Sequence, residues 1–390
     1  MNPPPNNPGR HLNRLDAVRA LAVLSVFFFH VFDATFNANH LPWHGHWRDW
    51  HSVPNPLFLF CYPLTFGWAG VALFFVVSGF VIHYSFLTAN RPFSVGGFYR
   101  GRFWRIYPAY LLALVAFGLL TYRHMNAAGN LDFTLHLLLV HNLADKTFFG
   151  QINSSFWSMA TEVQFYLAYP AMLWLRRKVG MANVLGISLV LAAAGLLISA
   201  APGNIPAGPI SFLGAMPTTT WFGWVLGAFV AERFFQAKRC IPNPKPVLLG
   251  LAVLFVASTL CRETSMLSFT VASILCAVAL ERWVWCAKPL NALEKLLVPL
   301  GLCSYSFYLW HQPILKSAIF HARELRFHST PMLLLVGLAA FVPIYALSWV
   351  LYQTVERRSN SFGKGSGGKS PANAPREYSL AQGGRRIAAG

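Results

Sequence analysis

Apolar residues run along the chain in ten long stretches that are separated by short polar segments. A helix needs about 20 apolar residues to cross a bilayer, and most of these stretches have that length. They cover residues 15–36, 64–88, 104–122, 155–175, 183–200, 209–232, 246–260, 265–283, 297–318 and 331–355. A further run at 133–141 is too short to span, so we expect it at the interface or as a re-entrant segment. The pattern predicts an all-α, polytopic integral membrane bundle of about ten transmembrane helices.

The composition supports a membrane environment. Hydrophobic residues make up 55% of the 390 residues and charged residues only 11%, whereas soluble domains carry about a quarter charged residues. The six cysteines are scattered without a C-x-x-C pair, so we expect neither a metal site nor a disulfide framework. We predict one transmembrane domain at 15–356, preceded by a cytoplasmic segment at 1–14 that is not a cleavable signal, and followed by a disordered basic cytoplasmic tail at 357–390.

The basic residues predict the orientation of the bundle. With the N-terminus in the cytoplasm, the inner segments carry 24 of the 31 Lys and Arg residues and the outer segments carry 7. Cytoplasmic loops of membrane proteins show this excess, which places both termini inside. The asymmetry also accounts for the net charge of +18 without a nucleic-acid partner, and we expect none.

Three predicted spans carry ionisable residues at a similar depth, where charge is costly and marks candidate functional sites. Arg19 and His30 are eleven residues apart in the first span, which places them on one helix face about 16 Å apart in height. Asp33 follows His30 by three residues and can pair with it. Glu162 and His311 lie at the depth of His30, counted from the predicted outer ends of their spans. A histidine–carboxylate set of this kind suits general acid–base chemistry on a hydroxyl, although each residue alone also fits a structural role.

A second group of basic residues lies at the inner end of the third span. Arg100, Arg102 and Arg105 precede the apolar run, and Arg19 is predicted at the same membrane level. The forked, permanent cation of arginine suits phosphate recognition. These four residues are therefore candidates for binding the phosphates of a coenzyme A-type donor, a role that is compatible with a purely topological one.

Together, the motifs resemble those of the acyltransferase 3 family of membrane acyltransferases, which includes bacterial O-acetyltransferases of surface polysaccharides. The resemblance covers about residues 11–357, and five motifs occur in order at the matching spans. They are Leu15-Asp16-Ala-Val-Arg19 with ten residues before His30; Gly70-Val71, Phe74-Phe75 and Ser78-Gly79-Phe80; Arg102-x-x-Arg105-Ile106-x-Pro108; Trp157-Ser158 with Glu162, Phe165-Tyr166 and Pro170; and Ser304-Tyr305-Ser306-x-Tyr308-Leu309-x-His311-x-Pro313.

The resemblance implies a membrane enzyme of the bacterial inner membrane with a cytosolic acyl-CoA donor, most commonly acetyl-CoA, and no tightly bound cofactor. It implies a carbohydrate or glycolipid acceptor at the outer face, with His30 as general base or as the site of a covalent acyl relay. Asp33 or Glu162 would then orient His30. Relatives often carry an acidic residue where this chain has Ala72, and some append an esterase-like domain that 34 residues after Glu356 are too few to form.

Buried His, Glu and Arg residues also suit proton coupling, so a proton-coupled transporter or flippase of a cell-envelope precursor is the alternative. A membrane sensor is a third class of protein that the pattern allows. Internal pseudo-repeats would favour a transporter, and the sequence shows none. Transfer of an acyl group from acyl-CoA by the purified protein separates the enzyme from both alternatives.

Overall fold

The computed structural model describes residues 8–36, 41–89, 92–121, 127–147, 152–200 and 214–363. Apart from one short hairpin, the regular elements in these ranges are helical. The helices are α1 Pro8–Phe36, α2 Pro56–Cys61, α3 Ala69–Leu87, α4 Val95–Thr121, α5 Ala127–Leu137, α6 Phe156–Val179, α7 Met181–Ser199, α8 Pro217–Phe235, α9 Pro244–Ser258, α10 Ser268–Val284, α11 Ala292–Leu302, α12 Ser304–Glu324, α13 Thr330–Ala339, α14 Phe341–Leu351 and α15 Arg357–Gly363. The hairpin pairs β1 Trp43–His44 with β2 Trp47–Arg48. The prediction of an all-α membrane helical bundle is confirmed.

Helices stand at all ten predicted spans. Within the described ranges, six helical stretches are long and apolar enough to cross a membrane. They are Arg14–Phe36, Pro56–Leu87, Val95–Leu120, Met181–Ser199, Ser265–Val284 and Thr330–Gly363. The other four spans correspond to α6, α8, α9 and the α11–α12 pair; α9 has 15 residues. Helices α6, α8 and α12 are less apolar because they carry polar groups inside the bundle, and all three contribute residues to the polar clusters described below.

Two predicted spans are interrupted rather than continuous. The span at 297–318 divides into α11 and α12 at Cys303, and the span at 331–355 divides into α13 and α14 at Ala340. Pro343 explains the second break, because proline has no N–H to donate to the carbonyl four residues earlier and its ring clashes there. The short run at 133–141 forms the end of α5 and a turn, and it does not span.

Helical structure extends beyond both ends of the predicted domain. Helix α1 already begins at Pro8, inside the segment expected to precede the domain. After a π-helical turn at Tyr352–Glu356, the chain continues as α15 to Gly363, which covers the first seven residues of the predicted tail at 357–390. Residues 364–390 lie outside the described ranges.

Helix α1 runs through the centre of the bundle, where small residues let its neighbours approach closely. A Cβ added to Gly67 would lie 2.1 Å from the Ser25 carbonyl oxygen, and one added to Gly70 would lie 2.3 Å from that of Ala22. The segment from Tyr62 to α3 therefore packs directly on the α1 backbone. Helices α11, α12 and α13 pack on other parts of α1, so a side chain of α1 can reach several helices.

Helices α3 and α8 make a second close contact. A Cβ on Gly79 would lie 1.9 Å from the Trp224 carbonyl oxygen, and one on Gly227 would lie 2.0 Å from the Val76 carbonyl oxygen. At each glycine, a backbone carbonyl oxygen of the other helix therefore occupies the space that a side chain would need. The small-residue pattern of the second span thus serves close helix packing, as such patterns do in membrane proteins.

Candidate active site

Two histidines from different helices meet inside the bundle. His30 on α1 and His311 on α12 have ring centroids 5.2 Å apart, with an angle of 43° between the rings. His311 is fully buried, and its ring also stacks on Phe307 with a centroid distance of 6.2 Å. The two residues are far apart in the sequence, and the fold brings together two groups that can each carry a proton.

The hydrogen bonds of His311 indicate which of its nitrogens carries the proton. Its Nδ1 lies 2.7 Å from the carbonyl oxygen of Tyr308, and a carbonyl oxygen only accepts, so Nδ1–H is the donor. In a neutral imidazole the other nitrogen then carries a lone pair. The buried Nε2 has no hydrogen-bond partner among the described residues. His311 therefore has a basic nitrogen that no described group occupies.

Gln312, next to His311, contacts His30. The amide Nε2 of Gln312 lies 3.3 Å from His30 Nδ1. The Oγ atoms of Ser154 and Ser155 donate to the amide oxygen of Gln312, at 2.8 and 2.7 Å. The start of α6 thus holds the Gln312 side chain against the ring of His30.

Glu162 belongs to a second set of polar groups beside this pair. The hydroxyl of Tyr166 donates to the carboxylate of Glu162 and lies 3.2 Å from Ser78 Oγ. Glu162 also interacts electrostatically with Tyr308, whose hydroxyl lies 2.6 Å from Ser158 Oγ. Tyr308 stands next to His311, with ring centroids 5.4 Å apart. Tyr308 therefore lies near both Glu162 and His311.

Asp33 lies one turn beyond His30 on α1 and is half-buried. Its charge interacts with that of Lys316, and Lys316 also acts on both His30 and His311. Lys316 lies on α12, about one turn beyond His311. The acid and the cation thus lie near each other at the predicted outer side of the site.

The four predicted donor-binding arginines have different surroundings in the structure. Arg102 lies 5.7 Å from the ring of Tyr166, which in turn bonds to Glu162, so this cation reaches the second polar set. Arg19 pairs with Asp16 at 3.7 Å. Arg100 donates to the carbonyl of Phe362 in α15 at 3.1 Å. Arg105 is partly buried on α4, three residues after Arg102. Donor binding by these residues stays a prediction.

A further polar cluster at the predicted inner end was missed from the sequence. Arg176 on α6 forms a bidentate ion pair with Glu232 on α8, at 2.7 and 2.6 Å. Glu232 also bonds at 2.9 Å to Nε2 of the buried His83 on α3, whose Nδ1 lies 3.2 Å from the Tyr169 hydroxyl. The cluster joins α3, α6 and α8 below Tyr166. Arg176 was counted only among the inner basic residues that predict the orientation, and His83 and Glu232 were not singled out, so this cluster was not predicted.

Gln312 and the two serines were also missed. Gln312 follows His311 directly and is a buried amide within an apolar span, which marks it as a candidate. Ser154 and Ser155 precede α6 and look like ordinary residues at a helix start. Only the tertiary structure shows that they bond to a glutamine more than 150 positions away.

The fold and these contacts define a multi-pass membrane protein with a pair of histidines, one buried and one partly buried, that is suited to proton transfer. Residues 12–353 match the family model described as "Acyltransferase domain". The chain therefore belongs to this acyltransferase family and is an enzyme that transfers acyl groups.

The chain is similar to several named proteins of bacteria. It is 25% identical to Nodulation protein 10 of Rhizobium leguminosarum bv. viciae, over 90% of this chain and 95% of that protein. It is 26% identical to Acyltransferase MdmB of Streptomyces mycarofaciens, over 78% and 79%. It is 29% identical to Peptidoglycan O-acetyltransferase OatA of Listeria monocytogenes, over 65% of this chain and 46% of that protein. No solved structure matches the chain.

Proposed function

We propose that this protein is an O-acyltransferase of the bacterial inner membrane. It moves an acyl group, most simply acetyl, from cytosolic acyl-CoA to a hydroxyl of a glycan or glycolipid at the outer face. The observation that carries the proposal is the histidine pair: His30 and His311 face each other inside the bundle, and the Nε2 atom of His311 has no partner among the described residues. The similarity to a peptidoglycan O-acetyltransferase supports a cell-envelope glycan as acceptor.

The proposed chemistry needs one proton acceptor beside the acceptor hydroxyl. An imidazole takes the hydroxyl proton while the oxygen attacks the thioester carbon, so that the new C–O ester bond forms and the C–S bond breaks. The leaving thiolate of coenzyme A then receives the proton. Proton transfer by a positioned side chain of this kind contributes about 100- to 10,000-fold to a rate.

The donor is proposed to enter from the inner side. Of the predicted donor-binding arginines, Arg102 lies near the ring of Tyr166, and the Tyr166 hydroxyl bonds to Glu162. With Arg19, Arg105 and Arg100 it would hold the phosphates of acyl-CoA, while the thiol arm extends towards the histidine pair. Acyl-CoA is a substrate here, and no tightly bound cofactor is proposed.

The general base assignment is tested with purified protein in detergent and radiolabelled acetyl-CoA, measured as acetyl transfer to isolated envelope glycan. His30→Ala is expected to lower kcat/KM by about 100-fold or more with an unchanged size-exclusion profile. His321→Ala is the matched control, because His321 lies on the exposed surface of α12 and its loss is expected to have no effect. Full transfer by His30→Ala contradicts a catalytic histidine pair, and an intact thioester with wild-type protein favours the transporter alternative.

Donor binding is tested separately by varying the acyl-CoA concentration. Arg102→Ala removes a cation expected to bond a phosphate, and a hydrogen bond to a charged group contributes about 1.5–3 kcal/mol. The KM for acyl-CoA should therefore rise by about 10- to 100-fold, with a smaller effect on kcat. Arg177→Ala is the control, since Arg177 is an exposed inner arginine. Equal KM values for the two variants would assign Arg102 a purely topological role.

A further inference from the structure

The amide of Gln312 lies between two hydroxyls and one imidazole. Both hydroxyls, of Ser154 and Ser155, donate to the amide oxygen. The amide Nε2 is thereby directed at Nδ1 of His30, 3.3 Å away. An amide NH₂ group only donates. Nδ1 of His30 must then accept, so it carries a lone pair and no proton.

The two histidines are consequently held in opposite tautomers. A neutral His30 whose Nδ1 accepts carries its proton on Nε2, which makes Nε2–H a donor. His311 donates from Nδ1 to the Tyr308 carbonyl, so its Nε2 is an acceptor. The rings are 5.2 Å apart inside the bundle, and two like charges at that distance disfavour each other. The pair is therefore arranged to hold one additional proton rather than two.

We propose that Gln312 is a positioning residue that fixes the tautomer of His30, and that it thereby gives the two histidines different roles in the reaction. His311 Nε2 takes the proton of the acceptor hydroxyl, and His30 Nε2–H donates to the oxyanion that forms on the thioester carbon. When the C–S bond breaks, the proton on His311 Nε2 passes to the thiolate sulfur and the carbonyl re-forms as an ester. This inference rests on the acyl transfer proposed above and changes the base from His30 to His311.

The tautomers are read directly by nitrogen-15 NMR of histidine-labelled protein in detergent, because protonated and unprotonated imidazole nitrogens resonate far apart. The His30 signals are identified by their loss in His30→Gln. Wild-type His30 is expected to show a proton on Nε2. In Gln312→Glu the carboxylate accepts, so the His30 proton should move to Nδ1. In Gln353→Glu, where the glutamine lies near the inner surface and bonds to Arg357, the His30 signals should stay unchanged.

The acyl transfer activity of the same variants provides a second test. Gln312→Glu removes the Nε2–H donor of His30 and is expected to lower kcat by about 100- to 1,000-fold, the effect of losing one oxyanion donor, with an unchanged KM for acyl-CoA. If Gln312→Glu does not fold, the double variant Ser154→Ala/Ser155→Ala frees the amide to turn and should give a mixture of both His30 tautomers.

The outcomes separate the two proposals. A wild-type His30 with its proton on Nδ1, or a His30 tautomer that neither the Gln312 nor the serine variants change, overturns the positioning role. A wild-type protein that shows the expected tautomers but transfers no acyl group leaves the positioning of His30 standing and refutes the proposed function.

Discussion

The contact between α3 and α8 makes a sharp prediction about packing. In Gly79→Ala the new Cβ would lie 1.9 Å from the Trp224 carbonyl oxygen, whereas carbon and carbonyl oxygen pack at about 3.3 Å or more. The helices would have to separate by about 1.4 Å, and a gap of about 1 Å already loses about half of a dispersion contact. The clashing atom belongs to the backbone and cannot turn away, so we expect about 3 kcal/mol of destabilisation, the upper end of the range for overpacking.

The matched control is Gly250→Ala in α9, where an added Cβ would meet no atom within 4 Å. There the better helix propensity of alanine should stabilise the protein by about 1 kcal/mol at most. The assay is thermal unfolding in detergent, followed with a thiol-reactive dye that reports exposure of the buried Cys61 and Cys303. Gly79→Ala should melt at a lower temperature than wild type. If Gly79→Ala melts at or above the wild-type temperature, the close helix contact deduced from the backbone is wrong.

Two further predictions concern polar contacts. Arg176→Met leaves the carboxylate of Glu232 without its bidentate partner. Breaking a buried pair costs about 3–5 kcal/mol, and because 23% of the Arg176 side chain is exposed, we expect a smaller loss of about 1–3 kcal/mol. The melting temperature should therefore fall in Arg176→Met, whereas the control Arg177→Met should melt like wild type. Arg48→Met removes a buried guanidinium that bonds to the carbonyls of Leu41 and Thr259 at the base of the hairpin. The hairpin should then be cleaved faster by chymotrypsin, which cuts after aromatic residues such as Trp43 and Trp47, when the protease is added outside spheroplasts. An unchanged cleavage rate would show that these bonds do not hold the hairpin.

The site has two levels along the bundle. Near the predicted inner end, Arg102 and the cluster of Arg176 and Glu232 surround Tyr166 and Tyr169. Further towards the predicted outer end, the histidine pair stands beside Tyr308 and Gln312. The proposed donor has the same two-part character, with charged phosphates at one end and a reactive thioester at the other. The distance between the levels is set by α6, on which Glu162 and Arg176 are fourteen residues, or about 21 Å, apart.

The candidate site could be predicted in part from the sequence. His30 and His311 were placed at similar depth because a helix rises by a constant amount per residue, and the structure shows their rings in contact range. Depth does not determine which side chains are lateral neighbours. The sequence therefore suggested Asp33 or Glu162 as the group that orients His30, and the structure shows the amide of Gln312 at its Nδ1.

The sequence by itself determined the class of the protein and the places of its helices. Long apolar runs have one stable arrangement in lipid, since the backbone must satisfy its own hydrogen bonds there, and helices stand at all ten predicted spans. Only the tertiary structure decided which helices touch and how the histidines are bonded. Those contacts depend on close packing at positions such as Gly79 and on hydrogen bonds between residues far apart in the chain, and neither leaves a periodic signal in the sequence.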